Sequence, residues 1–294
     1  MNKILIWILP LLLCCQCTQE ICHACFHGTC FSKRKLFEGK QFSGQIAVDR
    51  MDNVLHFHYK DYRSNDYTAI LDLYSDSPKL EILPVDYSFA RAINTKTGEV
   101  YFSGAKGIYV YNSVTKSTVP YMLFNTTISL MQFKDKLYYT EFRREGIYFV
   151  ENNRADAMEA LADYIVDDFV IDKFNNIYFI SDYILFRYKK GEHKAKIFSN
   201  IPYSLTTDTK DNVYLIETTT RTLFKMDYVR DRITEVGIFG SGSVFNAVFD
   251  KYNNLIYCDA VEERIYMLLP TFSNCTIVKR KRKKENINVS KMMF

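Results

Sequence analysis

One pattern occurs six times along the chain, and this repetition constrains the fold more than any other feature. Each copy has an apolar segment, a polar turn and a second segment centred on aromatic residues. The equivalent positions of the second segment are 36 to 45 residues apart and are occupied by His56, Tyr101, Tyr138, Tyr178, Tyr214 and Tyr257. Four-stranded propeller blades have a period of about 40–45 residues. The sequence therefore predicts an all-β protein, a six-bladed β-propeller.

The turns inside the repeats support this prediction, because they contain residue types that tolerate a positive φ angle. The dipeptides are Asp52-Asn53, Thr97-Gly98, Asn175-Asn176, Asp211-Asn212 and Asn253-Asn254. An acid also recurs just before four of these turns, at Asp49, Asp172, Asp208 and Asp250. Metal ligation is one interpretation of these acids. We favour a structural role, since an aspartate side chain caps a turn of this kind.

The sixth repeat ends soon after Leu269 and lacks an outer strand. Residues 32–37 resemble residues 77–82, which are predicted to form the outer strand of the first blade. We therefore expect residues 33–37 to close the propeller by pairing with residues 264–268, which would remove an exposed edge. Residues 156–164 are the one segment with a predicted helical tendency.

The two ends of the chain differ from the repeats. Residues 1–17 contain one charge, Lys3, an apolar run, and small residues suited to signal-peptidase cleavage, which predicts a secretory signal peptide. The apolar run is about half the length of a bilayer span. We therefore expect a secreted protein without a membrane span. Its predicted parts are a Cys-rich segment at 18–32, the propeller at 33–275 and a basic, disordered tail at 276–294.

The net charge of +4 depends on residues 279–284, six consecutive lysines and arginines. Without them the net charge is −2. This distribution argues against a uniformly basic nucleic-acid-binding surface, although the tail by itself suits contact with polyanions.

Five cysteines follow the predicted leader. Cys22, Cys25 and Cys30 lie close to two histidines, a spacing that also occurs in zinc sites. In a secreted protein we expect disulfides instead. Propeller closure would bring this cluster to Cys275, so we expect Cys275 to pair with one of its three cysteines and Cys258 to remain unpaired. Three Asn-x-Ser/Thr motifs are candidate glycosylation sites: Asn125, Asn274 and Asn288.

The starts of the inner strands are the best candidates for ligand contacts, because in a propeller they surround the central channel. They are Gln45, Arg91, Ser129, Asp168, Ser204 and Asn246. Their mixture of charges, amides and hydroxyls suits hydrogen bonding to a small polar molecule, while the alternative is that they only hydrate the channel. We predict a ligand-binding set of Arg91, Gln45, Asp168, Ser204 and Asn246, with Arg91 pairing with a carboxylate.

A calcium-dependent lactonase or esterase is the main alternative function, because such propellers hold a metal in the channel. Only Asp167 or Asp168 and Asn246 lie near suitable positions, and the charge of Arg91 opposes a cation there. The chain contains no nucleophile elbow, zinc-protease motif, P-loop or dinucleotide fingerprint. We therefore expect no cofactor and no catalysis. An extracellular protein-interaction propeller is the third interpretation.

Several segments resemble the insect ommochrome-binding proteins: residues 104–111, 133–139, 169–173, 205–208 and 249–254, together with the Cys-rich N-terminus. The resemblance spans residues 22–275, and its segments belong mostly to the blade framework. It implies reversible, non-catalytic binding of an ommochrome by a carrier secreted into haemolymph. Ommochromes are tryptophan-derived phenoxazinones with a flat ring and carboxylates. The basic run at residues 279–284 departs from the family pattern.

Overall fold

The computed structural model describes residues 22–39, 41–75, 79–85, 88–200 and 204–275. The predicted signal peptide, the basic tail and Asn288 lie outside these ranges. The described residues form 26 β-strands and one turn of 3₁₀ helix, so the prediction of an all-β protein is confirmed. Within these ranges no helix has the length and apolar character needed to cross a membrane.

The strands follow one another as antiparallel neighbours. The first two form a hairpin: β1 (Ala24–Phe26) and β2 (Thr29–Glu38). The next five form one sheet: β3 (Gln41–Phe42), β4 (Ala47–Asp49), β5 (Val54–Lys60), β6 (Asp66–Asp72) and β7 (Leu80–Ile82). A four-stranded sheet follows: β8 (Arg91–Ile93), β9 (Val100–Gly104), β10 (Gly107–Asn112) and β11 (Ser117–Leu123).

Two further four-stranded sheets come next. The first contains β12 (Ile128–Phe133), β13 (Leu137–Glu141), β14 (Tyr148–Glu151) and β15 (Arg154–Ala157). The second contains β16 (Asp168–Ile171), β17 (Ile177–Ser181), β18 (Ile184–Tyr188) and β19 (Lys196–Ser199). The remaining strands are β20 (Ser204–Thr207), β21 (Val213–Glu217), β22 (Thr222–Asp227), β23 (Arg232–Phe239), β24 (Val244–Phe249), β25 (Leu255–Asp259) and β26 (Arg264–Asn274).

The N-terminal hairpin joins these last strands into one nine-stranded sheet, in the order β20-β21-β22-β23-β1-β2-β26-β25-β24. In this sheet Lys33 lies opposite Leu268 and Phe37 lies opposite Ile265, which confirms the predicted pairing of residues 33–37 with residues 264–268. The pairing of β1 with β23 was not expected from the sequence. It depends on Gly237, because a Cβ atom there would collide with the backbone oxygen of Cys25.

Disulfides hold the same hairpin in place. Cys25 is bonded to Cys275, so the structure selects one of the three partners left open for Cys275, and Cys22 is bonded to Cys30. Cys258 is the one unpaired cysteine of the described residues, and it is buried. Because the hairpin is part of the sheet, the predicted domain boundary at residue 33 falls inside β2.

Apolar clusters connect each sheet to the next. Examples are Phe102 and Val100 of β9 against Ala47 of β4, and Leu137 of β13 against Ala92 of β8. A further cluster places Ile256 of β25 against the strands of the first sheet. The array of sheets therefore closes on itself, and the burial of these side chains stabilises it.

The predicted turns have the conformation that their residue types favour. Asn53, Gly98, Asn175, Asp211 and Asn253 have φ angles of 56°, 75°, 61°, 54° and 62°. The acids before the turns cap them: the Oδ1 atom of Asp172 accepts the N–H groups of Phe174 and Asn176, both at 2.8 Å. Equivalent bonds occur at Asp49, Asp208 and Asp250. These acids have the structural role that we favoured.

The predicted helical tendency of residues 156–164 was largely wrong. Residues 154–157 belong to β15, where Asp156 pairs with Phe149, and the helix is a single 3₁₀ turn, Glu159–Leu161. Met158, at its N-cap, makes no side-chain capping bond. A short segment without a cap does not overcome the cost of helix nucleation when an adjacent strand offers pairing.

Candidate functional site

The inner strands β4, β8, β12, β16, β20 and β24 contact one another in a closed circle. A cavity of about 360 Å³ lies within this circle. Its lining extends from the starts of the inner strands to the hairpins at their ends, as far as Asn175 and Asp211. Small-molecule sites have volumes of about 300–1,000 Å³, so the cavity is large enough for a compact ligand.

The structure brings four of the five predicted ligand-binding residues to this cavity: Gln45, Arg91, Asp168 and Asn246 line it. Ser204 opens β20 but does not belong to the lining. Ser129 is also absent from the lining, to which β12 contributes Gln132 and Phe133 instead.

Three of these residues form hydrogen bonds to other inner strands or to the segments just before them. The Nε2 atom of Gln45 donates to the carbonyl of Met131 at 3.2 Å, and its Oε1 atom accepts the N–H of Met131 at 2.8 Å. The Nδ2 atom of Asn246 donates to the carbonyl of Gly44 at 2.6 Å. The N–H of Leu205 donates to Asp168 at 2.8 Å. These side chains thus shape the channel as well as presenting polar atoms to it.

The carboxyl group of Asp168 is unusual in this ring. Burial raises the pKa of Asp168 to about 7, although the N–H groups of Leu205 and Phe169 act in the opposite direction by stabilising its charged form. Near neutral pH it therefore exists in both protonation states. Its protonated form can donate a hydrogen bond to a ligand, and its charged form can accept one.

The guanidinium group of Arg91 lies at the wall of the cavity and is almost completely buried, with 2% of the residue exposed. Its Nη2 atom donates to the carbonyl of Ser88 at 2.7 Å. Its Nε and Nη1 atoms have no hydrogen-bond partner among the described residues. Burial lowers the pKa of Arg91 to about 9, so the group remains cationic at neutral pH.

Three further cations that sequence reasoning missed line the cavity: Arg50, Lys96 and Lys134. Arg50 reaches both ends of the nine-stranded sheet, donating to the carbonyls of Phe249 in β24 at 3.2 Å and Thr207 in β20 at 3.1 Å. Lys134 is paired with Asp211, and Lys96 is exposed. The sequence could have indicated these three cations, because each follows the end of an inner strand. The prediction considered only the starts of the inner strands.

The lining also has an aromatic component. Phe133 and Phe249 both border the cavity, and the ring of Phe133 stacks on Tyr101 with centroids 5.6 Å apart. A ring held in this way loses little freedom when a flat ligand contacts it.

Two other groups of predicted residues lie away from the cavity. Asn125, between β11 and β12, and Asn274, at the end of β26, are both exposed. The cysteines of the two disulfides lie at the N-terminal hairpin. In the part of the chain that the structure describes, no group of three or more His, Cys, Asp and Glu side chains is arranged to hold a metal ion.

The chain is similar to known proteins in sequence and in fold. No protein-family model matches the chain. It is 23% identical over 250 residues to the ommochrome-binding protein of Manduca sexta, covering 83% of this chain and 89% of the relative. Among solved structures it is similar to a gluconolactonase from Xanthomonas campestris, with a TM-score of 0.64, 9% identity, and coverage of 85% of this chain and 94% of that chain.

It is also similar to a calcium-binding protein, regucalcin, from Agrobacterium tumefaciens, with a TM-score of 0.62, 14% identity, and coverage of 85% of this chain and 98% of that chain. These solved structures are propellers. At such identities the likeness concerns the fold alone, and it assigns this chain the β-propeller architecture that the internal repeats predict.

Proposed function

We propose that the protein is a non-catalytic carrier that binds a small, flat, acidic aromatic molecule of the ommochrome type in the channel cavity. The observation that carries this proposal is the lining of the cavity, which combines four cationic side chains with the rings of Phe133 and Phe249. A flat ring can stack on the phenylalanines, while carboxylates pair with the cations. The distant relationship to a protein that binds ommochrome supports the same ligand class.

The proposed contacts combine the predicted set, Arg91, Gln45, Asp168, Ser204 and Asn246, with cations found in the structure. Among these, Lys96 is exposed at the hairpin end of the cavity. No ion pair or side-chain hydrogen bond involves its ammonium group within the described ranges. It is therefore available to a carboxylate of the ligand, whereas Lys134 is already paired with Asp211.

We infer that the propeller has six blades. The inner strands β4, β8, β12, β16, β20 and β24 form one circle, and apolar clusters lie between successive sheets. On this interpretation the nine-stranded sheet contains two blades. One consists of β20, β21, β22 and β23, the other consists of β24, β25, β26 and β2, and β1 connects the two. The N-terminal strand then supplies the missing outer strand of the last blade.

We also infer that the protein is secreted. The two disulfides are typical of an oxidising compartment, and the predicted signal peptide leads there. Asn125 and Asn274, both exposed, remain the proposed glycosylation sites within the described residues.

Titration of the purified protein with a phenoxazinone ommochrome, followed by the visible absorbance of the pigment, tests the carrier proposal. We expect saturable binding by the wild-type protein. Because a hydrogen bond to a charged group contributes about 1.5–3 kcal/mol, Arg91→Met should weaken binding by about 10- to 150-fold. Lys96→Gln should also weaken it.

Lys251→Gln is the matched control for Lys96→Gln, since Lys251 is an exposed hairpin lysine outside the cavity lining. It should bind pigment like the wild type. Absence of saturable binding by the wild type would contradict the carrier proposal. Equal affinities of Arg91→Met and wild type would remove Arg91 from the ligand contacts.

A calcium-dependent lactonase or esterase is the second candidate, because oxygen-bearing side chains of Asp168 and Asn246 line the same cavity. The cationic group of Arg91 at that level disfavours a divalent ion. Hydrolysis of lactones or aryl esters that depends on added calcium would support this candidate. If neither pigment binding nor hydrolysis occurs, the extracellular protein-interaction propeller becomes the preferred hypothesis.

A further inference from the structure

Unpartnered polar atoms of buried side chains are concentrated between the sheet of β5 and the sheet of β8 and β9. They are Nε and Nη1 of Arg91, Nδ1 of His56, Nδ1 of His58 and Oγ1 of Thr68, none of which has a hydrogen-bond partner among the described residues. These four residues are 2%, 3%, 1% and 1% exposed. Buried polar groups are nearly always hydrogen-bonded. Such a concentration therefore indicates that a polar guest belongs here.

The geometry of the strands places these groups around Arg91. His56 and His58 lie two residues apart on β5 and so share one face of the sheet. The ring of His56 lies 5.7 Å from the ring of Phe102, which is the residue opposite Arg91 on β9. The ring of His58 lies 5.2 Å from the ring of Phe89, two residues before Arg91. Both imidazoles therefore face the segment that carries the guanidinium.

The charge of this cluster is unbalanced. The described bond of the Arg91 guanidinium is to a neutral carbonyl, that of Ser88, and no described carboxylate pairs with it. Burial and the charge of Arg91 lower the pKa of His56 to about 3, so His56 is neutral. A buried cation without a counter-ion is strongly unfavourable. An anion beside Arg91 would remove this cost.

Other charged groups near the cluster do not supply that anion. Asp66 is occupied by His58, whose Nε2 atom lies 3.0 Å from its Oδ1 atom, and by Lys60. Cys258 lies near enough to interact with Arg91, but burial raises the pKa of its thiol, which is therefore neutral. None of the charged groups that the structure describes around the cluster thus compensates the charge of Arg91.

We propose that Arg91 and His56 form a binding site for one small monovalent anion, a halide or a carboxylate, that enters from the channel cavity. A single charge suffices, because Arg91 is the one cation of the cluster that is buried. Access follows from the position of Arg91 in the cavity wall. The N–H groups of Nε and Nη1, together with an N–H on Nδ1 of His56, provide the donors. This site does not depend on the pigment proposal.

The test uses the whole protein without any pigment. Thermal unfolding is followed in increasing sodium bromide or sodium formate, and the response of Arg91→Met at the same concentrations gives the general salt effect. We expect a saturable rise in Tm with bromide and formate in the wild type. A ligand that binds only the folded state raises its stability in this concentration-dependent way.

Arg91→Met removes the guanidinium that donates hydrogen bonds to the anion. We expect the bromide concentration that gives half of the rise in Tm to increase at least 10-fold. Arg187→Met is the matched control: Arg187 is also buried, at 9% exposed, but it is paired with Asp231. This control should lower Tm and retain the saturable bromide response. A wild-type protein without a saturable response, or an equal response in Arg91→Met, would overturn the proposal.

A bromide-soaked crystal of the wild type provides a measurement that does not depend on the folding of a variant. An anomalous peak beside the Arg91 guanidinium is expected, and density for water alone at that position would overturn the proposal. Adding a saturating concentration of a phenoxazinone ommochrome, the ligand proposed for the channel, distinguishes the source of the anion. Loss of the bromide response would show that a carboxylate of that ligand occupies the site, and its persistence would show that the site takes a free anion.

Discussion

The side-chain amide of Gln45 forms hydrogen bonds with both the N–H and the carbonyl of Met131, at 2.8 and 3.2 Å. The two residues are 86 positions apart in the sequence and lie on opposite sides of an intervening inner strand, β8. The N–H of Arg91 on β8 also lies 3.4 Å from the Oε1 atom of Gln45. One amide group thus connects three sheets at the wall of the channel.

Gln45→Leu should therefore destabilise the protein by about 1–3 kcal/mol, because it leaves two polar backbone groups of the buried Met131 without partners. Urea unfolding measures the change. Gln132→Leu is the matched control, since Gln132 lines the same cavity but its side chain makes no hydrogen bond within the described residues. It should change stability by less than about 0.5 kcal/mol. Equal losses in the two variants would argue against the bridging role.

Asp168 should make stability depend on pH. Its pKa is about 7 in the folded protein and near the ordinary 3.8 in the unfolded chain. Between these values the folded state holds a proton that the unfolded state releases, so this carboxyl's contribution to stability falls as pH rises from about 4 to 7. Asp168→Asn keeps an oxygen for Leu205 and stays neutral. The Tm of Asp168→Asn minus the Tm of the wild type should therefore be larger at pH 8 than at pH 5.

Asp163→Asn is the control for this measurement, because Asp163 is an exposed acid away from the cavity lining. Its Tm difference from the wild type should be the same at pH 5 and pH 8. If Asp168→Asn showed the same pH-independent difference, the raised pKa of Asp168 would be contradicted.

The two disulfides should contribute unequally to stability. The Cys25–Cys275 bond joins residues 250 positions apart, whereas the Cys22–Cys30 bond joins residues 8 positions apart. A longer loop loses more entropy when it is closed in the unfolded chain. Replacing Cys25 and Cys275 with serine should cost up to about 5 kcal/mol. The Cys22→Ser, Cys30→Ser variant should lose less, as measured by denaturant unfolding, and the reverse order would refute this argument.

Cys258 should resist modification in the native protein. It is 0% exposed, and burial raises the pKa of its thiol, so little reactive thiolate is present. Iodoacetamide should label Cys258 in the denatured protein but not in the native protein, and peptide mapping detects the label. Rapid labelling of the native protein, or a disulfide between Cys258 and Cys275, would contradict the structure.

Local chemistry and periodicity explain what could be predicted from the sequence. Asn53 and Asn253 indicated hairpins because asparagine tolerates positive φ, and Asp172 indicated a capped turn because its side chain reaches the next N–H groups. The closing strand was predictable because a repeat without an outer strand leaves an unpaired edge. In each case the responsible residues are close in sequence or belong to a repeated pattern.

The roles of the channel residues could not be predicted in this way. The sequence placed Gln45, Asp168 and Asn246 at strand starts, but their bonds to other sheets depend on distances between residues far apart in the chain. The sequence likewise identified Arg91 as a cation, without showing that it is buried with unpartnered nitrogens.

The sequence by itself thus determined the all-β architecture, the turns and the closing strand, because periodicity and side-chain chemistry specify them locally. It also identified four residues that line the cavity: Gln45, Arg91, Asp168 and Asn246. Tertiary structure alone decided that Cys25 is the partner of Cys275 and that Arg50 reaches the cavity wall. It also decided that Arg91 lies buried between two sheets. The physical reason is that burial and pairing depend on which distant segments meet when the ring of sheets closes.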